Sequence, residues 1–102
     1  MDYNLPMKTV LKHAHFTQWF DALRDKQTKV RIQVRIDRAE IGNYGDCEPV
    51  GEGVLELRMH FGSGYRVYFI ERDLEIIVLL AGGDKATQSN DIKKAIELSK
   101  EV

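Results

Sequence analysis

The sequence predicts an α+β domain in which helices pack on an antiparallel sheet. No glycine or proline occurs in residues 16–41, which is typical of helices rather than of strands joined by turns. Turn-forming residues are concentrated in residues 42–53, and beyond them hydrophobic and polar residues alternate with the period of a strand. The 102 residues, 43% of them hydrophobic, suffice for one hydrophobic core, and we expect a single domain over residues 1–102.

The amino-terminal part of the chain predicts a short edge strand at residues 9–11, followed by the helical region. Residues 30–36 alternate hydrophobic and polar side chains, which alone would predict a strand. Helical geometry explains this segment equally well, because at about 100° per residue its apolar positions fall into two rows. The rows are Leu23, Val30, Val34 and Ile41, and Ile32, Ile36 and Ala39, with a basic stripe of Arg24, Arg31, Arg35 and Arg38 between them. The stripe is either a solvated helix face or a surface that binds a partner.

The sheet begins after a predicted loop at residues 42–53. Residues 55–61 and 65–69 alternate as strands, and the connection at residues 62–64 suits a three-residue hairpin loop with Gly64 in the left-handed conformation. This loop would pair Phe61 with Tyr65 and His60 with Arg66. One face of the hairpin is then apolar, and the other is an exposed polar face made of Glu56, Arg58, His60, Arg66 and Tyr68.

Two further segments complete the expected fold. Residues 76–81 are uniformly apolar, which predicts a strand buried on both faces. Gly82 and Gly83 end this strand, and a final helix begins at about Thr87 or Ser89, where polar capping residues precede an amphipathic stretch.

Composition excludes several classes of protein. Cys47 is the single cysteine, so neither an internal disulfide nor a thiolate zinc cluster is available, and a reducing cytoplasm fits best. Residues 1–6 do not begin a targeting signal and no stretch is apolar enough to span a membrane, so we expect a soluble cytoplasmic protein without a membrane partner. A formal net charge of −1 means that any nucleic-acid binding must depend on a local patch.

The predicted polar face carries the groups needed to bind and cleave a phosphodiester without a metal ion. Arg58 and Arg66 offer fork-shaped donors for a phosphate. Histidine is the commonest general acid-base residue, which makes His60 a candidate for proton transfer, and Tyr68 or Glu56 are further candidates. The alternative interpretation is an exposed sheet face with polar pairs between neighbouring strands.

Two other motifs carry weaker signals. The Gly-Gly-Asp-Lys sequence at residues 82–85 resembles places where backbone amides and a lysine, here Lys85, meet a phosphate, although a plain strand-to-helix turn also explains the glycines. His13 and His15 flank Ala14 without further ligands at a suitable spacing. We interpret both histidines as structural or exposed, and we expect no metal site and no cofactor.

Four blocks of sequence resemble a known family. They are GNYGD at residues 42–46, GEGVLELR at 51–58, GSGYRVYF at 62–69 and LLAGGDKATQ at 79–88. In this order and spacing the chain resembles, from about Phe16 to Ala95, the addiction-module killer branch of the RelE/ParE toxin superfamily, the HigB-like or phage Gp49-like group.

The resemblance implies two N-terminal helices on an antiparallel sheet of three to four strands, with a C-terminal helix. It implies the toxin of a type II toxin-antitoxin system. One expected partner is a cognate antitoxin that is a helix-turn-helix DNA-binding protein. The other is the ribosome with its mRNA, since many relatives cleave mRNA on the ribosome without a metal ion. Arg66 and Lys85 resemble phosphate-binding positions, with Arg58 beside them, and the basic stripe would contact RNA or the antitoxin. ParE relatives inhibit DNA gyrase instead, so a gyrase inhibitor and an inactive antitoxin-binding module remain alternatives.

Overall fold

A computed structural model describes residues 7–102; the expectation for residues 1–6, that they begin no targeting signal, lies outside the described residues. Residues 7–102 form a five-stranded sheet in the order β1-β5-β4-β3-β2, with three α-helices packed on it. Between residues 7 and 102 no helix combines the length and the apolar character that crossing a bilayer requires. The elements are β1 (Thr9–Lys12), α1 (Ala14–Ala22), α2 (Lys26–Glu40), β2 (Cys47–Gly51), β3 (Val54–Arg58), β4 (Arg66–Arg72), β5 (Ile76–Gly83) and α3 (Gln88–Ser99).

The α+β class and the helix-on-sheet architecture are confirmed, with two differences in the sheet. The sheet has five strands rather than three or four, because β2 forms inside the segment that the sequence predicts to be a loop. It is also mixed, since β1 pairs with β5 in parallel while the other pairs are antiparallel. The edge strand predicted at residues 9–11 is confirmed as β1.

Each face of the sheet carries its own hydrophobic core. Helices α1 and α2 cover one face, where Phe16 and Ile32 pack against Leu57 and Phe69. Helix α3 covers the opposite face through Ala95 and Leu98, which pack in one cluster with Val54, Tyr68 and Leu80. The sheet is therefore the middle layer of three, and both of its faces are covered around β3, β4 and β5.

The prediction of helix over residues 30–36 is confirmed, since this segment lies inside α2. Asp25 interrupts the helical region because its carboxylate accepts a hydrogen bond from the backbone N–H of Gln27 and caps α2. The row Ile32, Ile36 and Ala39 is buried in the core. The other predicted row does not stay together: Val30 and Val34 on α2 and Ile41 directly after it are 62%, 40% and 47% exposed, whereas Leu23 follows α1 and packs against the core.

The predicted hairpin register is wrong by two residues. Arg58, not His60, lies opposite Arg66, and Leu57 lies opposite Val67. The reason is a longer connection, in which both Gly62 (φ 57°) and Gly64 (φ 77°) adopt the left-handed conformation. Because side chains alternate with period two, a shift of two residues leaves every side chain on its predicted face.

Close packing explains the two glycines at the end of β5. A Cβ atom on Gly82 would lie 2.1 Å from Cε3 of Trp19, and one on Gly83 would lie 1.8 Å from Oδ2 of Asp91. Asp84 then accepts hydrogen bonds from the backbone N–H groups of Ala86 and Thr87 and caps the short turn that leads into α3. The glycines therefore allow α1 and α3 to approach β5.

Candidate functional site

Three of the residues that the sequence singles out meet in one cleft. His60, Arg66 and Lys85 line a cavity of about 300 Å³ together with residues 62–64. The backbone N–H of Lys85 donates a hydrogen bond of 3.3 Å to the carbonyl of Ser63, which holds the β3–β4 loop against the turn that follows β5. The cleft thus joins positions that are far apart along the chain.

Arg66 is the most firmly held of these side chains. It is only 6% exposed, and its Nη1 donates hydrogen bonds to the carbonyls of Gly64 (3.0 Å) and Tyr65 (3.2 Å). Its Nε has no hydrogen-bond partner among residues 7–102 and lies 4.0 Å from Oε1 of Glu56. The guanidinium is therefore fixed in position where it lines the cleft.

Glu56 is a buried carboxylate that anchors the arginines. It accepts hydrogen bonds from Nε of Arg58 (3.0 Å) and from the side-chain amide of Gln88 (2.9 Å). Burial by itself would raise the pKa of Glu56, but the hydrogen bonds from Gln88 and Arg58 outweigh burial and lower it. Glu56 is consequently ionised at neutral pH and offsets part of the positive charge of Arg58 and Arg66.

The polar sheet face is not exposed as the sequence predicts, because α3 covers it. Tyr68 is fully buried there, and its hydroxyl has no hydrogen-bond partner within the described part of the chain. Burial, together with the neighbouring Glu56 carboxylate, strongly raises the pKa of Tyr68. Tyr68 lies outside the cleft and keeps its proton at neutral pH.

His60 and Arg58 lie at the open side of the site. The side chain of His60 is 70% exposed, and its Nε2 lies 2.5 Å from Oδ2 of Asp46. This hydrogen bond is the main reason why the pKa of Asp46 is lowered. The Arg58 side chain is 35% exposed, so it adds positive charge next to the cleft while its Nε remains bound to Glu56.

The basic stripe divides into residues with different surroundings. Arg24 lies in the connection between α1 and α2, whereas Arg31, Arg35 and Arg38 line a second groove of about 350 Å³. Both the groove and the cleft are lined by His60. The stripe therefore continues the site along α2, except for Arg24.

Arg35 has a structural role within this groove. It donates hydrogen bonds to the backbone carbonyls of Arg58 (2.6 Å), Tyr44 (2.8 Å) and Asp46 (3.2 Å). Burial lowers the pKa of Arg35. These contacts hold the loop between α2 and β2 against the end of β3, and they place Asp46 beside His60.

Sequence reasoning missed three residues of the site. Asp46 orients His60, Gln88 anchors Glu56, and Phe61 lies under the guanidinium of Arg31 at 3.8 Å from its ring centroid. All three contacts join segments distant in sequence, and no local pattern in the sequence signals them. Of the two histidines outside the site, His13 is structural, since its Nδ1 caps α1 by accepting a hydrogen bond from the backbone N–H of His15.

Comparison with solved structures defines the class of fold. The chain superposes on a free-state mutant of E. coli toxin RelE in which two arginines are replaced by alanine, with a TM-score of 0.72, 11% identity and coverage of 89% of this chain and 96% of the other. It also matches the toxin-antitoxin complex RelBE2 from Mycobacterium tuberculosis, with a TM-score of 0.53, 17% identity and coverage of 83% and 99%. The fold is that of RelE.

Sequence comparison defines the family. Residues 18–101 match the family described as "Phage derived protein Gp49-like (DUF891)". The chain therefore belongs to the Gp49-like family, in agreement with the resemblance of its sequence blocks. An uncharacterized protein of Haemophilus influenzae is 41% identical to it over 98 residues, which are 96% of each chain.

Proposed function

We propose that this protein is the toxin of a type II toxin-antitoxin system of the HigB-like group, and that it cleaves mRNA on the ribosome and so arrests translation. The observation that carries the proposal is the cleft, in which a fixed guanidinium (Arg66), an ammonium (Lys85) and an imidazole (His60) face the same space. Membership of the Gp49-like family and the fold of RelE support the proposal.

The reaction that these groups suit is attack of an RNA 2′-hydroxyl on the adjacent phosphate. A base takes the proton of the 2′-hydroxyl, the 2′-oxygen bonds to phosphorus, and the bond from phosphorus to the 5′-oxygen breaks. The departing 5′-oxygen receives a proton, which leaves a 2′,3′-cyclic phosphate and a 5′-hydroxyl. The proposal involves side chains alone, without a metal ion or cofactor.

The side chains in and around the cleft have separate roles in this reaction. Arg66 and Lys85 bind the phosphate and stabilise the charge that develops on its oxygens. His60, exposed and oriented by Asp46, exchanges the proton with the reacting oxygens. Arg58 adds positive charge at the rim, and Tyr68, buried beside Glu56, supports the sheet face from which Arg66 projects.

The charge of the chain favours action on the ribosome rather than on free RNA. A formal net charge of −1 provides little general attraction for a polyanion at cellular ionic strength, so in the cell the cleft depends on another particle to present the RNA strand. The ribosome with its mRNA supplies that strand, and this places the activity in the cytoplasm.

The antitoxin is the second partner in the proposal. Val30 and Val34 on α2 and Ile41 directly after it are exposed, and a row of exposed apolar side chains is typical of a protein-binding surface. One chain of the toxin-antitoxin complex RelBE2 matches this chain in structure. We assign this row to a cognate antitoxin with a helix-turn-helix DNA-binding domain.

The test is inducible expression in bacteria with mapping of transcript 5′ ends and of DNA supercoiling in the same cultures. Wild type should arrest growth and produce new 5′ ends inside translated codons, and Lys85→Ala and Arg66→Ala should abolish both effects. Lys93→Ala, an exposed lysine on α3, is the matched control and should behave as wild type. Lys85 is exposed, so Lys85→Ala is expected to keep the fold.

Two outcomes would contradict the nuclease. Growth arrest with intact mRNA and altered supercoiling would identify a gyrase inhibitor. Absence of growth arrest despite accumulation of folded protein would identify an inactive module that only binds its antitoxin.

A further inference from the structure

We propose that the groove along α2 is the path of the RNA strand as it leaves the cleft, and that Arg31, supported by Phe61, is the surface on which the neighbouring nucleobase stacks. This inference rests on the proposed function and names a residue that reads the substrate next to the cleaved phosphate.

The geometry of the Arg31 and Phe61 pair is the first argument. Cζ of Arg31 lies 3.8 Å from the centroid of the Phe61 ring, which places the guanidinium against the ring. Phe61 is itself half-buried and packs against Tyr65 at 5.4 Å between ring centroids. Arg31 is exposed, so the ring supports one side of the guanidinium and leaves the other available, and planar guanidinium groups stack on nucleobases.

Continuity with the cleft is the second argument. The groove and the cleft are both lined by His60, which lies in the β3–β4 connection. A phosphate held by Arg66 and Lys85 would therefore direct the next nucleotide of its strand past His60 into the groove, where Arg31 and Phe61 lie.

The charge of the groove favours RNA over a peptide as its occupant. The residues that line it include three arginines and a histidine but no carboxylate: Arg31, Val34, Arg35, Arg38, Met59, His60 and Phe61. A polyanion fits this lining, because the cations of the lining outnumber the carboxylate beside it, that of Asp46 on His60.

The three arginines of the groove have separable roles. Arg35 is committed to three backbone carbonyls, so its substitution would alter the fold of the loop rather than the recognition of a base. Arg38 is exposed and supplies charge for the backbone of the strand. Arg31 alone is held against an aromatic ring, and only its planar shape contributes stacking.

The experiment uses the full chain and a hexanucleotide RNA with 2-aminopurine next to a central 2′-deoxy position that prevents cleavage. Stacking quenches 2-aminopurine, so one titration at low salt reports affinity and stacking separately. Wild type should bind and quench. Arg31→Lys keeps the positive charge but removes the planar guanidinium. This variant should show less than half of the wild-type quenching of 2-aminopurine fluorescence. It should also bind the RNA at least about fivefold more weakly, as expected for loss of one stacked base.

Two further variants control the result. Arg24→Lys makes the same substitution outside the groove and should match wild type. Phe61→Leu removes the support of Arg31 and should also reduce quenching, with thermal unfolding to show that the domain remains folded.

Three results would overturn the inference. The first is that wild type does not bind the RNA. The second is that Arg31→Lys quenches the fluorescence as much as wild type does. The third is that an acidic peptide binds in the groove and the RNA does not. The outcome for the proposed function is separate. If wild type cleaves mRNA in cells while Arg31→Lys quenches normally, the proposed stacking on Arg31 is wrong and the proposed nuclease activity stands. If wild type quenches the probe but cleaves no mRNA, the nuclease is wrong and Arg31 belongs to an RNA-binding surface.

Discussion

The carboxylate of Glu56 accepts a hydrogen bond of 2.9 Å from the side-chain amide of Gln88, which ties the middle of β3 to the first residue of α3. The same carboxylate accepts a hydrogen bond from Arg58 and lies 4.0 Å from Nε of Arg66. One buried charge therefore connects the position of α3 with the orientation of both arginines at the candidate site.

Glu56→Gln should destabilise the protein although the two side chains have the same shape. The substitution leaves Arg58 and Arg66 without their counterion, and removal of one partner from a buried ion pair costs on the order of 3 kcal/mol. Urea denaturation measures this loss in the free energy of unfolding. Glu52→Gln, at an exposed position, is the control and should change it by less than about 0.5 kcal/mol. Equal losses in the two variants would contradict the role assigned to Glu56.

The stability of the wild type should also fall in acid through Glu56. The pKa of Glu56 is lowered below its ordinary value of 4.5, so the folded protein binds fewer protons at this group than the unfolded chain does. Its contribution is therefore complete above about pH 4.5 and is lost as the pH falls through the lower folded pKa. Denaturation between pH 3 and 7 should show a shallower acid slope for Glu56→Gln than for wild type. Parallel curves would exclude Glu56 as a source of the pH dependence.

Local patterns in the sequence are sufficient to predict on which face of the sheet each residue of β3 and β4 lies. They are not sufficient to predict which residues of the two strands pair with each other. Alternation places Leu57 and Arg58 on opposite faces of the sheet whatever the register. The register itself depends on the conformation of Gly62, which the neighbouring residues in the sequence do not determine. Burial of Tyr68 under α3 depends on Ala95 and Leu98, which are far away in sequence. His60, Arg66 and Lys85 were identifiable because their side-chain chemistry is distinctive, while Asp46 and Phe61 matter only through the neighbours that the fold gives them.

Gly82→Ala should test the contact between α1 and β5. The added methyl group would lie 2.1 Å from the indole of Trp19, and overpacking of this kind costs about 1–3 kcal/mol or more. Shortening the neighbour should relieve the clash, so Trp19→Leu should cost less in the Gly82→Ala background than in wild type. A double-mutant cycle by thermal unfolding measures this coupling. Additive effects would show that the two residues do not contact each other as described.

Arg35→Lys and Arg38→Lys should differ sharply although both make the same substitution on the same helix. A lysine at position 35 has no fork of donors for the carbonyls of Tyr44 and Arg58, and each lost hydrogen bond from a charged group costs about 1.5–3 kcal/mol. Arg38 is exposed, so Arg38→Lys should change the free energy of unfolding by less than about 0.5 kcal/mol. Chemical denaturation compares them, and equal stability of the two variants would contradict the structural role of Arg35.

Asp46→Asn should separate the positioning of His60 from the binding of RNA. Asp46 and His60 are joined through a hydrogen bond at the edge of the cleft, and the amide keeps the size of the side chain but loses its charge. If His60 transfers the proton, its misorientation should lower the rate of mRNA cleavage about tenfold, a part of what general acid-base catalysis contributes. Binding of the 2-aminopurine hexanucleotide should stay within about twofold of wild type, because the phosphate contacts of Arg66 and Lys85 are intact.

The variant Asp46→Glu restores the charge and should recover part of the cleavage rate, which a merely structural role of residue 46 would not explain. Asp37→Asn, at an exposed position on α2, makes the same change away from the cleft and should cleave as wild type does. The rate is followed by quantitative 5′-end mapping after brief induction. A normal rate in Asp46→Asn would contradict the orientation of His60 by Asp46. A rate that falls only in proportion to RNA affinity would move Asp46 from positioning to binding, because the loss would then lie in KM rather than in kcat.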